Sequence, residues 1–285
     1  MTERRKGILY ILGAALLWST GGIGIKAIDE PPLVVAFYRC FWAAITLFIL
    51  LRGRAWSRRW KSTPVFLFAI FSYGMCLTTF VIATKWTTAA NAIFLQYAGA
   101  VWVLLLSPIV LHEPIRMRDV IAIVGALCGM ALFFVGRFDS HGMAGNVMAL
   151  LSSVFFAGVI MSLRREQAAG EAAVTWGNVF GAAAVLPFIA SNLALTPRSL
   201  SLLLFLGIFQ IAAAYVLFVR GLKYVPATQA SLTGMLEPVM NPIWVLIFLG
   251  ERPSLYAVGG AVIVLSAIAW HTLGAQTTPD LPPPD

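Results

Sequence analysis

The sequence predicts an all-α polytopic membrane protein whose ten transmembrane helices form two inverted five-helix repeats. Three observations carry this prediction. Of 285 residues, 60% are hydrophobic and 11% charged, with a mean hydropathy of +0.86, whereas a soluble domain is about 45 to 50% apolar and about 25% charged. Apolar runs recur from end to end at close to the roughly 20 residues that cross a hydrocarbon core. The chain also matches itself at an offset of 138 residues, which pairs Gly7 with Gly145, Ile70 with Ile208, Lys85 with Lys223 and Glu113 with Glu251. Hydropathy agrees along both halves, as in a duplicated unit. Five spans per half is an odd number, so the second copy enters the membrane from the opposite side.

The spans are expected at 8–28, 33–51, 64–84, 88–111, 118–136, 143–163, 172–191, 199–219, 226–249 and 255–273. They leave no room for a soluble domain of ordinary size. The first run imitates a secretory signal, but it is too long for an h-region and nine spans follow, so it reads as a retained helix. It carries Trp18 and ends near Lys26. Arg39 lies in the second span, shallow enough to snorkel, or placed to bind a carboxylate or pair with another group. The basic stretch "RGRAWSRRWK" (52–61) reads as a topogenic loop that touches anionic lipid. Span three sets Ser72, Cys76 and Thr79 at helical spacing beside Tyr73, and span four carries Asn91 and Tyr97. The pairs Gly125/Gly129 and Gly177/Gly181 in spans five and seven permit close helix approach, with a dimer face as the alternative, so a monomer or weak homodimer is expected. Span six holds Phe156, the repeat partner of Trp18, and span eight holds its one amide, Gln210. Residues 1–137 are thus the first repeat, 142–273 the second, and 274–285 a polar, Pro-rich cytoplasmic tail expected to be disordered.

Charge sets the topology. Fourteen of the 20 Lys and Arg residues fall in the N-terminal segment and the loops after even-numbered spans, and five fall in the loops after odd-numbered ones. This positive-inside bias predicts a plasma (inner) membrane protein with both termini cytoplasmic. It also accounts for the net charge of +8 without a nucleic-acid partner. Cys40, Cys76 and Cys128 have no ligand spacing and read as packing residues. The three histidines are far apart in sequence, so neither a metal nor a cofactor is expected.

The stretch "TGMLEPVMNPIWVLIFLGERP" (233–253) is the chief functional candidate. Gln229, Thr233, Glu237 and Asn241 recur every four residues, which on one helix is a single polar face. Lipid does not tolerate such a face, and an ionisable side chain near mid-depth is a functional candidate by default. The alternative is a protonated Glu237 that hydrogen-bonds purely for helix packing. Pro238 and Pro242 each remove a backbone donor and free a carbonyl one turn earlier, which predicts a kinked helix lining a central pocket. Tyr73, Asn91, Gln210 and Gln229 are expected around that pocket, between spans 3, 4, 8 and 9, with Trp18, Tyr73 and Tyr97 able to stack a planar or apolar substrate portion.

This pattern resembles the drug/metabolite transporter superfamily, EamA type. "LLWSTGGIGIKAI" (16–28) is similar to that family's first helix, "AFYRCFWAAITLFILL" (36–51) to its second with Arg39 at the Arg position, and "LEPVMNPIWVLIFLGERPS" (236–254) to its ninth. The first-half counterpart "LQYAGAVWVLLLSPIVLHEP" departs from the pattern. Ala100 stands where proline is common and His112 where glycine is usual, which puts the symmetry of the two kinks in question. The resemblance implies a ten-helix carrier, closest to YddG-like exporters of aromatic and other neutral amino acids. Glu113 and Glu251 occupy the family's helix-ending position, as structural or gating groups.

The expected function is alternating-access transport of a small-molecule substrate, an amino acid above all. Glu237 would bind its amine or exchange a proton, Asn241 and Gln210 would hydrogen-bond it, and Trp18 or Tyr97 would pack its side chain. Nucleobases, sugars, drugs and amines are alternative cargoes. A channel would show unsaturable flux. An intramembrane enzyme needs a paired acid and base or a metal cluster at one depth, and the sequence shows one deep carboxylate and no deep histidine.

Overall fold

The computed structural model describes residues 2–51, 63–132, 142–191, 193–249 and 254–274, and within them all regular structure is helical. The basic stretch 52–61, Glu251 and the tail from 275 onward lie outside the described residues. In order, the helices are α1 (Glu3–Trp18), α2 (Gly21–Lys26), α3 (Pro32–Leu50), α4 (Pro64–Trp86), α5 (Ala89–Gln96), α6 (Gly99–Val110) and α7 (Met117–Leu132) in the first half. The second half has α8 (Met143–Arg165), α9 (Gly170–Ile189), α10 (Pro197–Phe205), a π-helical turn (Leu206–Ala213), α11 (Ala214–Leu222), α12 (Ala227–Gly234), α13 (Leu236–Leu249) and α14 (Leu255–Gly274). Eight of the resulting spans are long and apolar enough to cross a membrane. The shorter α7 and the α12–α13 pair complete ten, five in each half.

Local chemistry explains where the helices start. Thr63 accepts the Phe66 N–H at 3.0 Å ahead of Pro64, and Thr196 accepts the Ser199 N–H at 3.1 Å ahead of Pro197. A threonine cap followed by a proline whose absent N–H is not needed is a favourable helix start, and both sit at the head of the third span of their half. Thr88 caps α5 in the same way, accepting the Asn91 N–H at 3.0 Å.

The repeat is legible in the packing. α3 packs on α9 and α7 on α14, each helix meeting its own counterpart, while α4 packs on α8 and α1 on α11, two contacts that the repeat exchanges. Even individual contacts are duplicated: a Cβ on Gly7 would lie 2.6 Å from Tyr224 Cβ, and one on Gly145 would lie 2.7 Å from the Trp86 carbonyl carbon, 138 residues before Tyr224. Where α7 packs on α14, Gly129 meets Gly260 backbone to backbone, whereas Gly125 faces open space and Cys128 is exposed rather than packed.

Both fourth-type spans are broken, and at equivalent places. α5 and α12 have boundaries 138 residues apart at each end, and the chain turns after them at Tyr97 (ψ −4°) and Met235 (ψ 0°), well away from the helical ψ of about −42°. The expected doubt about symmetry is therefore removed, although the break needs no proline at Ala100. His112, in the usual glycine position, takes φ +56°, the left-handed conformation that glycine adopts more cheaply. The single kinked helix expected over 226–249 is corrected to two helices. Pro238 stands in the first turn of α13, where the missing N–H would lack an intrahelical partner in any case. The halves differ at two points: α1 and α2 are separated at Ser19–Thr20 while α8 runs unbroken, and the π turn has an unbroken α-helical counterpart in α4.

Candidate functional site

Both asymmetric features border one central cavity. The cavity between the halves is narrow, about 30 Å³, well below the volume of a formed small-ligand site, so a substrate enters only as the halves move apart. Trp18 from α1, Arg39 from α3, Cys76, Leu77 and Phe80 from α4, and Gln96 from α5 form the first-half wall. Phe156 from α8, Gln210 and Ile211 from the π turn, Tyr215 from α11 and Glu237 from α13 form the second. The aromatic part is continuous. Trp18 lies 4.9 Å from Tyr215 and 6.1 Å from its repeat partner Phe156, centroid to centroid, the latter edge-on.

Glu237 enters at the helix break. It is 5% exposed, in the first turn of α13, and its carboxyl lies 2.8 Å from the Tyr97 hydroxyl. That hydroxyl also donates to the Gly234 carbonyl at 2.6 Å. Gly234 is the last residue of α12, at the break, and Pro238 four residues on has no N–H to offer its carbonyl. Tyr97, at the equivalent break of the other half, supplies the missing donor.

Arg39 is 1% exposed, which corrects the expectation that it snorkels to the interface. Its Nη2 donates to Gln210 Oε1 at 2.6 Å, while Nε and Nη1 have no partner. Two glycines make this approach possible. A Cβ on Gly21 would sit 2.6 Å from Gln210 Nε2, and one on Gly207 would sit 2.6 Å from Trp42 Cβ and 3.1 Å from the Arg39 carbonyl. The π turn, of a kind often found at functional sites, carries Gln210 toward α3 and shifts the register so that Tyr215 shares its face.

Of the other candidates, Tyr73 lies one layer behind the wall, its hydroxyl accepting from Asn178 Nδ2 at 3.0 Å and its ring 4.6 Å from Tyr215. Asn91 is displaced from the site: in the first turn of α5 it donates to Thr87 Oγ1 at 3.2 Å. Gln229 likewise leaves the expected stripe and accepts from Arg4 Nη2 at 2.6 Å, because the break at Met235 takes α12 out of phase with α13. The side chains of Asn241 and Pro242 and the whole of Glu251 lie outside the described set. Glu113 is not at the cavity. It accepts from Arg164 Nε at 2.8 Å and from the Ala227 N–H at 2.9 Å, joining the α6–α7 connection to the end of α8 and the start of α12.

Sequence reasoning missed Gln96 and Tyr215 as wall residues. Gln96 had a usable signal, an amide in an apolar span immediately before a helix break; it donates to Ser152 Oγ at 2.8 Å. Tyr215 had none, since a spacing of five from Gln210 is not one face of an α-helix. Among the described residues no group of three or more His, Cys, Asp or Glu side chains is placed to hold a metal.

Comparison with known proteins agrees with this architecture. A solved structure superposes with a TM-score of 0.83 at 18% identity, covering 96% of this chain and 100% of that one, which shows a shared fold. An uncharacterized transporter of Archaeoglobus fulgidus is 26% identical over 94% of this chain and 97% of its own length. The uncharacterized transporter YwfM of Bacillus subtilis is 29% identical, with 86% of each chain covered. The pseudopaline exporter CntI of Pseudomonas aeruginosa is 26% identical over 93% of this chain and 95% of its own. The EamA-like transporter family matches residues 5–135 and again 143–273, so this chain belongs to that family and is a membrane transporter of small molecules rather than an enzyme.

Proposed function

We propose that the protein exports aromatic and other neutral amino acids across the plasma (inner) membrane by alternating access between its repeats, residues 1–137 and 142–273. The observation that carries this reading is a buried carboxyl, Glu237, facing a cavity walled by Trp18, Phe156 and Tyr215 at the junction of the two halves. The carboxyl suits a substrate amine and the rings suit an apolar side chain. Export as the direction is supported by the pseudopaline exporter among the relatives. The charge bias supports cytoplasmic termini.

The Tyr97 contacts support proton exchange as the coupling. The phenol has one proton and two neighbours, the Gly234 carbonyl and the Glu237 carboxyl. An ionised Glu237 draws that proton to itself. A protonated Glu237 instead donates to Tyr97, whose own proton then goes to Gly234. Substrate amine and proton compete for one carboxylate, so a proton entering opposite to the substrate drives export.

The test is counterflow of labelled amino acids in liposomes holding only this protein. Saturable counterflow is expected, and Glu237→Gln abolishes it or removes its pH dependence. An unchanged pH profile in Glu237→Gln would exclude Glu237 from the mechanism, and no counterflow with any amino acid would exclude the amino-acid reading. Flux that never saturates would indicate a channel.

A further inference from the structure

We infer that Arg39 is the carboxylate anchor of this cavity, and that the cargo is a zwitterion held at both ends, by Arg39 through its carboxylate and by Glu237 through its ammonium. The inference rests on the transport reading above and deepens it. Arg39 lines the cavity yet is 1% exposed, and its one acceptor among the described residues is a neutral amide, Gln210 Oε1 at 2.6 Å. Nε and Nη1 are left with hydrogens and no acceptor. A buried guanidinium without a counter-charge is strongly unfavourable unless something supplies one. Glu237 in the same cavity feels the charge of Arg39, yet no ion pair joins the two among the described residues and Glu237 is turned to Tyr97. The missing anion therefore comes with the cargo.

The arrangement is built for such a visitor. Gln210 steadies the guanidinium from the π turn, at a distance that Gly21 and Gly207 make possible, and Nε and Nη1 stay buried without an acceptor. A planar fork of N–H groups matches a carboxylate, giving short, charge-assisted hydrogen bonds. Arg39 belongs to the first repeat and Glu237 to the second, so a zwitterion spanning them neutralises both buried charges and bridges the halves. A simple amine or a simple acid neutralises one and leaves the other stranded, which is discrimination by an unmet partner.

The experiment uses the full chain in proteoliposomes, with labelled L-phenylalanine counterflow and three unlabelled competitors. L-Phenylalaninamide and phenethylamine lack the carboxylate, and 3-phenylpropionate lacks the ammonium. In the wild type, all three are expected to compete at least about tenfold more weakly than L-phenylalanine, the loss of one charged hydrogen-bonding partner. Quenching of tryptophan fluorescence, to which Trp18 contributes, reads the same order at equilibrium without transport. Arg39→Gln removes the preference for L-phenylalanine over phenethylamine, and Arg39→Lys keeps part of it. If phenethylamine competes as well as L-phenylalanine while counterflow persists, the anchor is wrong and the transport reading stands. Absence of L-phenylalanine counterflow overturns the aromatic amino-acid reading and the anchor together. The competitor series needs no variant, so it decides the matter even if Arg39→Gln does not fold.

Discussion

Replacing Glu113 by alanine isolates a buried ionic latch away from the cavity. Glu113 is 8% and Arg164 5% exposed, and they meet at 2.8 Å. Removing the carboxylate also strips the acceptor from the Ala227 N–H, and leaves Arg164 with the Leu222 carbonyl at 2.9 Å. An uncompensated buried charge of this kind costs about 3 to 5 kcal/mol. Glu113→Gln keeps an acceptor and is expected to lose less. Because the stranded charge is the main penalty, removing Arg164 as well relieves it. Glu113→Ala with Arg164→Ala is expected to cost about 2 kcal/mol less than the two single changes added together, a factor of about 30 in the unfolding equilibrium. SDS-driven unfolding in mixed micelles, run on all four proteins of the cycle, measures that difference. Additivity within about 0.5 kcal/mol would refute the reasoning, since independent sites behave that way.

Three further perturbations test other links. Gly207→Ala drives a methyl group against Trp42 Cβ and the Arg39 carbonyl, and is expected to destabilise the fold by about 1 to 3 kcal/mol through overpacking. Gly21→Ala meets the movable amide of Gln210, so thermal unfolding stays near wild type while counterflow falls. Outside the spans, burial raises the Glu30 carboxyl pKa, but the Ser199 hydroxyl at 2.6 Å, backbone donors and nearby Lys85 outweigh it and the net shift is downward. A lowered folded pKa adds stability above the unfolded carboxylate range and loses it as pH falls through the folded value. Ser199→Ala is therefore expected to lower Tm at neutral pH and to converge with wild type in acid; a difference that persists in acid would rule out this linkage.

The sequence by itself determined the solvent, the span count, the duplication and the acid on the ninth span, because these follow from hydropathy, spacing and parity, which are local properties of the chain. It also determined that Pro238 and Pro242 have no N–H to offer a carbonyl one turn earlier, since that is a property of the residue itself. Only the tertiary structure decided which polar groups share the cavity. A helical stripe stays in phase only while its helix is continuous, and the break at Met235 sends Gln229 to Arg4 while Glu237 goes to Tyr97. The π turn brings Gln210 and Tyr215 together at a spacing no α-helix aligns. Arg39 looked shallow by count along its span, yet Gln210 holds it inside. Its depth is set by a contact 171 residues away, which no local pattern records.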